Sequence, residues 1–194
     1  MNSVMLSIQP KWCNLILTGA KTWEVRKTKP AGVKLGKLDE PFKCYIYCTG
    51  VKKLPLAEYV EIHRATGGAI DDWHGKVIAE FVCDGIYPVC YTMDGFADVV
   101  DCNRSLLKPS DFIAYGKGKP LYGWNITELK VYDNPRELSE FCFPPELYCE
   151  KELCGRCPYD ESPNEYGEYS FDCEWKKPIT RPPQSWCFAE EAGK

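Results

Sequence analysis

An α+β chain, mainly β and closing into a small barrel, is what this 194-residue sequence predicts. Short segments of alternating apolar and polar residues recur along it, as strands with one buried face require. Helical spacing appears only between some of those segments, which argues against a doubly wound parallel sheet. Apolar residues at 44% and charged residues at 27% are ordinary globular values. A chain of this length hides roughly 70% of its unfolded surface, enough for a real core.

The first strand is "NSVMLSIQP", with Val4, Leu6 and Ile8 on one face and a proline stop. "KWCNLILTG" reads as a short helix, because Trp12, Leu15 and Ile16 are spaced i, i+3, i+4 and Gly19 suits the left-handed residue after a helix end. "KTWEVRKT" is a second strand, with Trp23 and Val25 on one face and Thr22, Glu24 and Arg26 on the other. "KCYIYCTG" is a third, setting Cys44, Ile46 and Cys48 against Tyr45 and Tyr47. Leu56 to Thr66 has helical character and ends at Gly67-Gly68. "GKVIAEFVCDGIYPV" is the longest apolar run and predicts a central strand. "KPSDFIAYG" predicts a short helix with Ser110 as N-cap and Gly116 at its end. In "LYGWNITELKVY" the positions of Trp124, Ile126 and Leu129 break strict alternation, which predicts a strand with a bulge.

No apolar run approaches the roughly 20 residues that span a bilayer, and the N-terminus lacks a basic head followed by an apolar stretch. The expectation is a soluble, cytoplasmic protein with no membrane partner. The net charge of −4 conceals an asymmetry: residues 1–53 carry ten Lys or Arg against Glu24, Asp39 and Glu40, a net of +7, and the rest carries −11. A basic stretch is the electrostatic footprint that nucleic-acid partners need, although a solvated lysine-rich surface gives the same count.

Twelve cysteines are many for a reducing compartment, and six of them crowd into residues 142–187. Residues 144–183 are rich in Pro, Glu, Tyr, Gly and Cys and poor in branched aliphatics, so they need a constraint other than a core. The expected organisation is a barrel over 1–141 and a Cys-rich segment over 142–194, whose end at about 184–190 ("SWCFAE") returns as an edge strand. "CEKELCGRC" supplies Cys149, Cys154 and Cys157, and Cys173 follows fifteen intervening residues after Cys157. A C-x-x-C pair with two further thiolates is the usual makeup of a four-cysteine structural zinc site, closed to catalysis, whose ligation energy becomes folding energy. Cys142 and Cys187 are reserves for Cys149 or Cys173. Independent thiols or a redox C-x-x-C pair are the alternatives, and the spacing also admits iron. His63 and His74 form no metal spacing, and no Ser/His/Asp arrangement is legible.

"LTGAKTWEVR" places Lys21, Glu24 and Arg26 within six residues of chain. Lys21 lies at the turn into the strand, so its stem can swing over a cleft; Glu24 and Arg26 share one face. An arginine fork grips phosphate or carboxylate at two points, a lysine ammonium acts as a mobile point charge, and a carboxylate between them accepts from a base amino group or a ribose hydroxyl. Trp12 and Trp23 are stacking candidates, although both lie on apolar faces that suit the core. The bland alternative for the three charged groups is a surface ion-pair cluster worth about 0–1 kcal/mol.

The motif Gly19-x-Lys21-x-x-Glu24-x-Arg26, following the "SIQPKW" strand-to-helix entry, resembles the ASCH domain of the PUA-like superfamily. In organisation the resemblance covers residues 1–138 or so, and the motif itself occupies eight positions. "TRPPQSW", Thr180 to Trp186, is similar to the tail of a cysteine-rich bacterial and phage-associated branch. The resemblance implies a small PUA-like β-barrel flanked by helices, with the motif lining a cleft. Relatives bind RNA in the superfamily at large, cleave RNA in some ASCH proteins, and hydrolyse the amide of acetylated cytidine in another branch. That last branch uses a lysine, a threonine and a glutamate. The lysine falls on Lys21, the threonine position holds Glu24, and the glutamate has no assigned place, which weakens transfer of that activity.

Three functions follow. The first is a module binding RNA or a nucleotide-like ligand through Lys21, Glu24 and Arg26, with Trp12 and Lys11 beside them. The second is a hydrolase acting on RNA or a modified nucleoside, with Lys21 and Glu24 catalytic. Glu24, Tyr45 or Asp111 would be its base, and Lys21 serves better as a cation than as a base because Glu24 favours its charged form. The third is a protein-interaction adaptor using the zinc-stapled tail. Sequence leaves the oligomeric state open.

Overall fold

A computed structural model describes residues 3–51, 54–89, 102–144 and 177–192. In chain order these form β1 (Val4–Ile8), α1 (Pro10–Leu17), β2 (Trp23–Arg26), β3 (Gly36–Cys48), α2 (Leu56–Ala65), α3 (Ile70–Trp73) and β4 (Val77–Val89). There follow α4 (Cys102–Ser105), α5 (Pro109–Gly116), β5 (Leu121–Asn125), β6 (Thr127–Arg136), β7 (Phe141–Phe143), β8 (Lys177–Pro178), β9 (Trp186–Phe188) and β10 (Glu190–Glu191). The class is α+β, as the sequence predicts: a mixed sheet curled into a half-barrel with short helices beside it.

Strands run in the order β2-β5-β4-β3-β1-β9, and β6 also pairs with β4. The long apolar strand β4 is central because one edge pairs with β3 while the other carries β6 and β5 in succession. β1 is parallel to β3, and β9 is antiparallel to β1. The predicted irregularity in "LYGWNITELKVY" is a break at Ile126, whose N–H bonds the Thr22 carbonyl, followed by Glu128 at φ 49°. Alternation along β3 sorts the core. Cys44, Ile46 and Cys48 join Cys13 and Ile16 of α1, Phe81, Ile86 and Trp124 on the concave face. Tyr45 and Tyr47 face a second cluster with Met5, Phe141 and Ile179, under a small sheet ordered β10-β7-β8.

Helix α5 begins two residues earlier than the sequence suggests. Lys108 is its N-cap, Pro109 takes the first helical position with its fixed φ, and Ser110 lies inside the first turn. Its left-handed terminator is Lys117 at φ 50°, the residue after Gly116. Gly116 is instead confined by the Leu121 side chain, which a Cβ there would meet at 3.4 Å.

Candidate functional site

Helix α1 ends at Thr18, and Gly19 at φ 74° reverses the chain so that the Lys21 N–H bonds the Leu15 carbonyl. This hairpin-like return lays the Lys21 side chain back along α1, 5.5 Å from the Trp12 ring. The strand that follows is buried on both faces. Val25 packs with Val89, Phe112 and Leu121, while Trp23 stacks on Tyr87 at 5.2 Å with the Arg104 guanidinium over its ring. Glu24 lies opposite Trp124 in the β2–β5 ladder, so Glu24 and Arg26 point with Trp124 into the concave core.

The sequence-predicted trio therefore converges, inside the fold. Lys21 is 2% exposed, Glu24 6% and Arg26 5%. Lys21 Nζ lies 3.2 Å from Glu24 Oε2, and Arg26 Nη2 lies 3.1 Å from Glu24 Oε1. Lys21 Nζ also donates to the carbonyls of Trp23 and, at 3.1 Å, of Ser105. Three acceptors match the three N–H of an ammonium, so the side chain is pinned and does not swing. Arg26 donates from Nη2 to the Ser7 carbonyl at 2.9 Å and from Nη1 to the Ser185 carbonyl at 3.2 Å. It thereby ties β2, at one end of the strand path, to β1 and the residue entering β9 at the other. Trp186 Nε1 adds a bond to Thr28 Oγ1 at 2.9 Å. Side chains, in place of a backbone ladder, bridge the gap of the half-barrel.

Burial pulls the Lys21 pKa below its ordinary value, with Glu24 opposing it. The nearby thiols of Cys13 and Cys44 are pushed well up by burial, and burial likewise raises the Tyr115 phenol, which senses both Arg26 and Glu24. Burial thus keeps Cys13, Cys44 and Tyr115 neutral, and Lys21 and Arg26 share one carboxylate.

Trp12 is half-buried, with the exposed Lys11 ammonium 5.0 Å from its ring centroid. Trp23 is a core residue. Neither alternative base joins the trio. Tyr45 belongs to the cluster on the other face of β3, and the Asp111 carboxylate caps α5 by accepting the Lys108 N–H at 3.1 Å. His63 pairs with Asp71 at 3.4 Å, and His74 is exposed. Sequence reading missed Ser7, Ser105 and Ser185, which act through backbone carbonyls that carry no side-chain signature. It also missed the role of Trp124, whose signal was its place opposite Glu24.

Cys149, Cys154, Cys157 and Cys173 lie outside the described residues. Of the reserves, Cys142 is buried on β7 with its Sγ on the Glu190 carbonyl at 3.6 Å. Cys187 is half-buried on β9, its thiol pushed up to about 11 by burial. No group of three or more His, Cys, Asp or Glu among the described residues is placed to hold a metal ion. No helix among them is long and apolar enough to cross a membrane.

No family model matches the chain, and no curated protein matches it. Among solved structures it is similar to the ASCH protein ZmASCH of Zymomonas mobilis, with TM-score 0.49 and 15% identity over 96% of this chain and 87% of that one. A tyrosine-to-phenylalanine mutant of ZmASCH gives TM-score 0.49 and 14% identity over 97% and 90%.

Proposed function

We propose that this protein binds RNA or a nucleotide-like ligand at the Lys21–Glu24–Arg26 site, with Trp12 and Lys11 at its rim. The observation that carries the reading is a buried ionic trio bearing one more cation than carboxylate. Burying such charges gains little stability over an apolar replacement, and an uncompensated positive charge in the interior favours an anionic guest. The +7 balance of residues 1–53 supports approach of a polyanion, and the half-buried Trp12 offers a ring for stacking. The GxKxxExR resemblance to ASCH domains points the same way. Calorimetric titration with short single-stranded RNA and with ribonucleotides tests it. Saturable binding that weakens at least tenfold in a folded Lys21→Met protein is expected, and unchanged affinity there removes the site.

A hydrolase reading draws on one observation, the lowered Lys21 pKa, which brings the amine nearer to use as a base. Turnover abolished by Lys21→Met with ligand binding retained would favour it over simple binding.

A further inference from the structure

Among the described residues, two buried polar hydrogens of the concave core have no acceptor: those on Arg26 Nε and Trp124 Nε1. Every other donor-bearing nitrogen of the trio has one. Arg26 Nη1 reaches the Ser185 carbonyl and, at 3.5 Å, its Oγ; Nη2 reaches the Ser7 carbonyl and Glu24; Lys21 Nζ has three partners. Buried indole and guanidinium hydrogens ordinarily find partners, so an orphan in each of two neighbouring side chains needs a cause.

The two groups are neighbours by register. Trp124 is the ladder partner of Glu24, and Arg26 is two residues from Glu24 on the same face, which makes Trp124 and Arg26 a diagonal pair about 7–8 Å apart at the backbone. From the β9 side, Trp186 lies 6.0 Å from the Trp124 ring and the Ser185 carbonyl accepts from Arg26 Nη1. A water between them would satisfy hydrogen bonds and leave the charge imbalance untouched. An oxyanion does both, because it carries the missing charge and presents several oxygens to two donors.

We propose that Arg26 Nε and Trp124 Nε1 form an oxyanion subsite that takes the terminal phosphate of a nucleotide or of an RNA end. The assignment rests on the nucleotide-binding reading given above and narrows it. Depth selects a terminus: Trp124 is fully buried and Arg26 5% exposed, so a phosphate esterified on both sides would drag two lengths of chain into the core, whereas a terminal one enters on a single bond.

The test follows the Arg26 Nε–H and Trp124 Nε1–H resonances in proton–nitrogen spectra of the full chain, assigned with Arg26→Lys and Trp124→Phe. Uridine, uridine 5′-monophosphate, inorganic phosphate and two RNA hexamers, one 5′-phosphorylated and one 5′-hydroxyl, are titrated separately. The expected result is that the monophosphate moves both resonances with one common Kd and binds at least tenfold tighter than uridine. The phosphorylated hexamer should exceed its hydroxyl twin by a similar factor if RNA ends are the source, and match it if free nucleotides are. Uridine and its monophosphate binding alike, with both resonances still, would overturn the subsite and leave the nucleotide-binding reading standing. Movement with inorganic phosphate alone would overturn the nucleotide assignment. Failure of every probe to bind would instead remove the underlying reading itself.

Discussion

Replacing Glu24 by Gln keeps the side chain's shape and removes the one carboxylate between two buried cations. Deleting one partner of a buried ion pair costs about 3–5 kcal/mol. Here one deletion strips the anion from Lys21 at 3.2 Å and from Arg26 at 3.1 Å, which places the loss in the upper half of that range, about 4–5 kcal/mol. Domain stabilities are about 5–15 kcal/mol, so the variant retains a fraction of its original margin. With a urea dependence of about 2 kcal/mol per molar, the unfolding midpoint should fall by about 2 M in tryptophan fluorescence. The loss also carries a pH signature. Lys21 already has a folded pKa below its ordinary 10.5, and removing Glu24, which opposes that shift, lowers it further. Between the folded and unfolded pKa values the unfolded chain holds more protons, so stability rises with pH through that window. The window opens at lower pH in the variant, and its deficit against the wild type should shrink as pH is raised from neutrality toward about 9.5. A loss below about 1 kcal/mol, the range of exposed pairs, or a deficit that grows with pH would refute the reasoning.

Arg26→Lys keeps the charge but offers a single nitrogen where the guanidinium reaches Ser7, Ser185 and Glu24. Amide exchange at Ser7 and Ala189, whose N–H groups bond Ser185 and Ser3, should accelerate about tenfold, for a cost of about 1.4 kcal/mol. Gly123→Ala would set a Cβ 2.5 Å from Trp23 Cε3, so about 1–3 kcal/mol of stability should be lost along with the near-ultraviolet signal of the Trp23–Tyr87 stack. The Cys149, Cys154, Cys157 and Cys173 proposal predicts one zinc per chain by metal analysis of reduced protein, falling to none in Cys154→Ser/Cys157→Ser; absence of stoichiometric zinc in the wild type would remove it.

Most of the strand pattern is legible because alternation survives in it. Val4, Leu6 and Ile8 fall on one face, and so do Cys44, Ile46 and Cys48, as the sequence predicts. β2 shows the limit of that signal. Alternation separates Trp23 and Val25 from Glu24 and Arg26, but it does not say which side faces solvent, and here neither does. Helices α4 and α5 cover the apolar face, while the charged face turns into the core because Arg26 finds the carbonyls of Ser7 and Ser185, and Lys21 that of Ser105, all distant in sequence. Those acceptors are backbone groups, and any residue type could supply them. The Ser110 misplacement has a similar origin: a serine suits an N-cap, yet Pro109 is better used at the first helical position, which moves the cap to Lys108.

A crystal structure of the protein grown with uridine 5′-monophosphate tests the ligand site most directly. The account predicts ordered density against Trp12 and Arg26, with a phosphate accepting from Arg26 Nε and Trp124 Nε1 while the Lys21–Glu24–Arg26 pairs persist. Nucleotide seated elsewhere on the molecule, over a core holding only water beside Arg26, would contradict it.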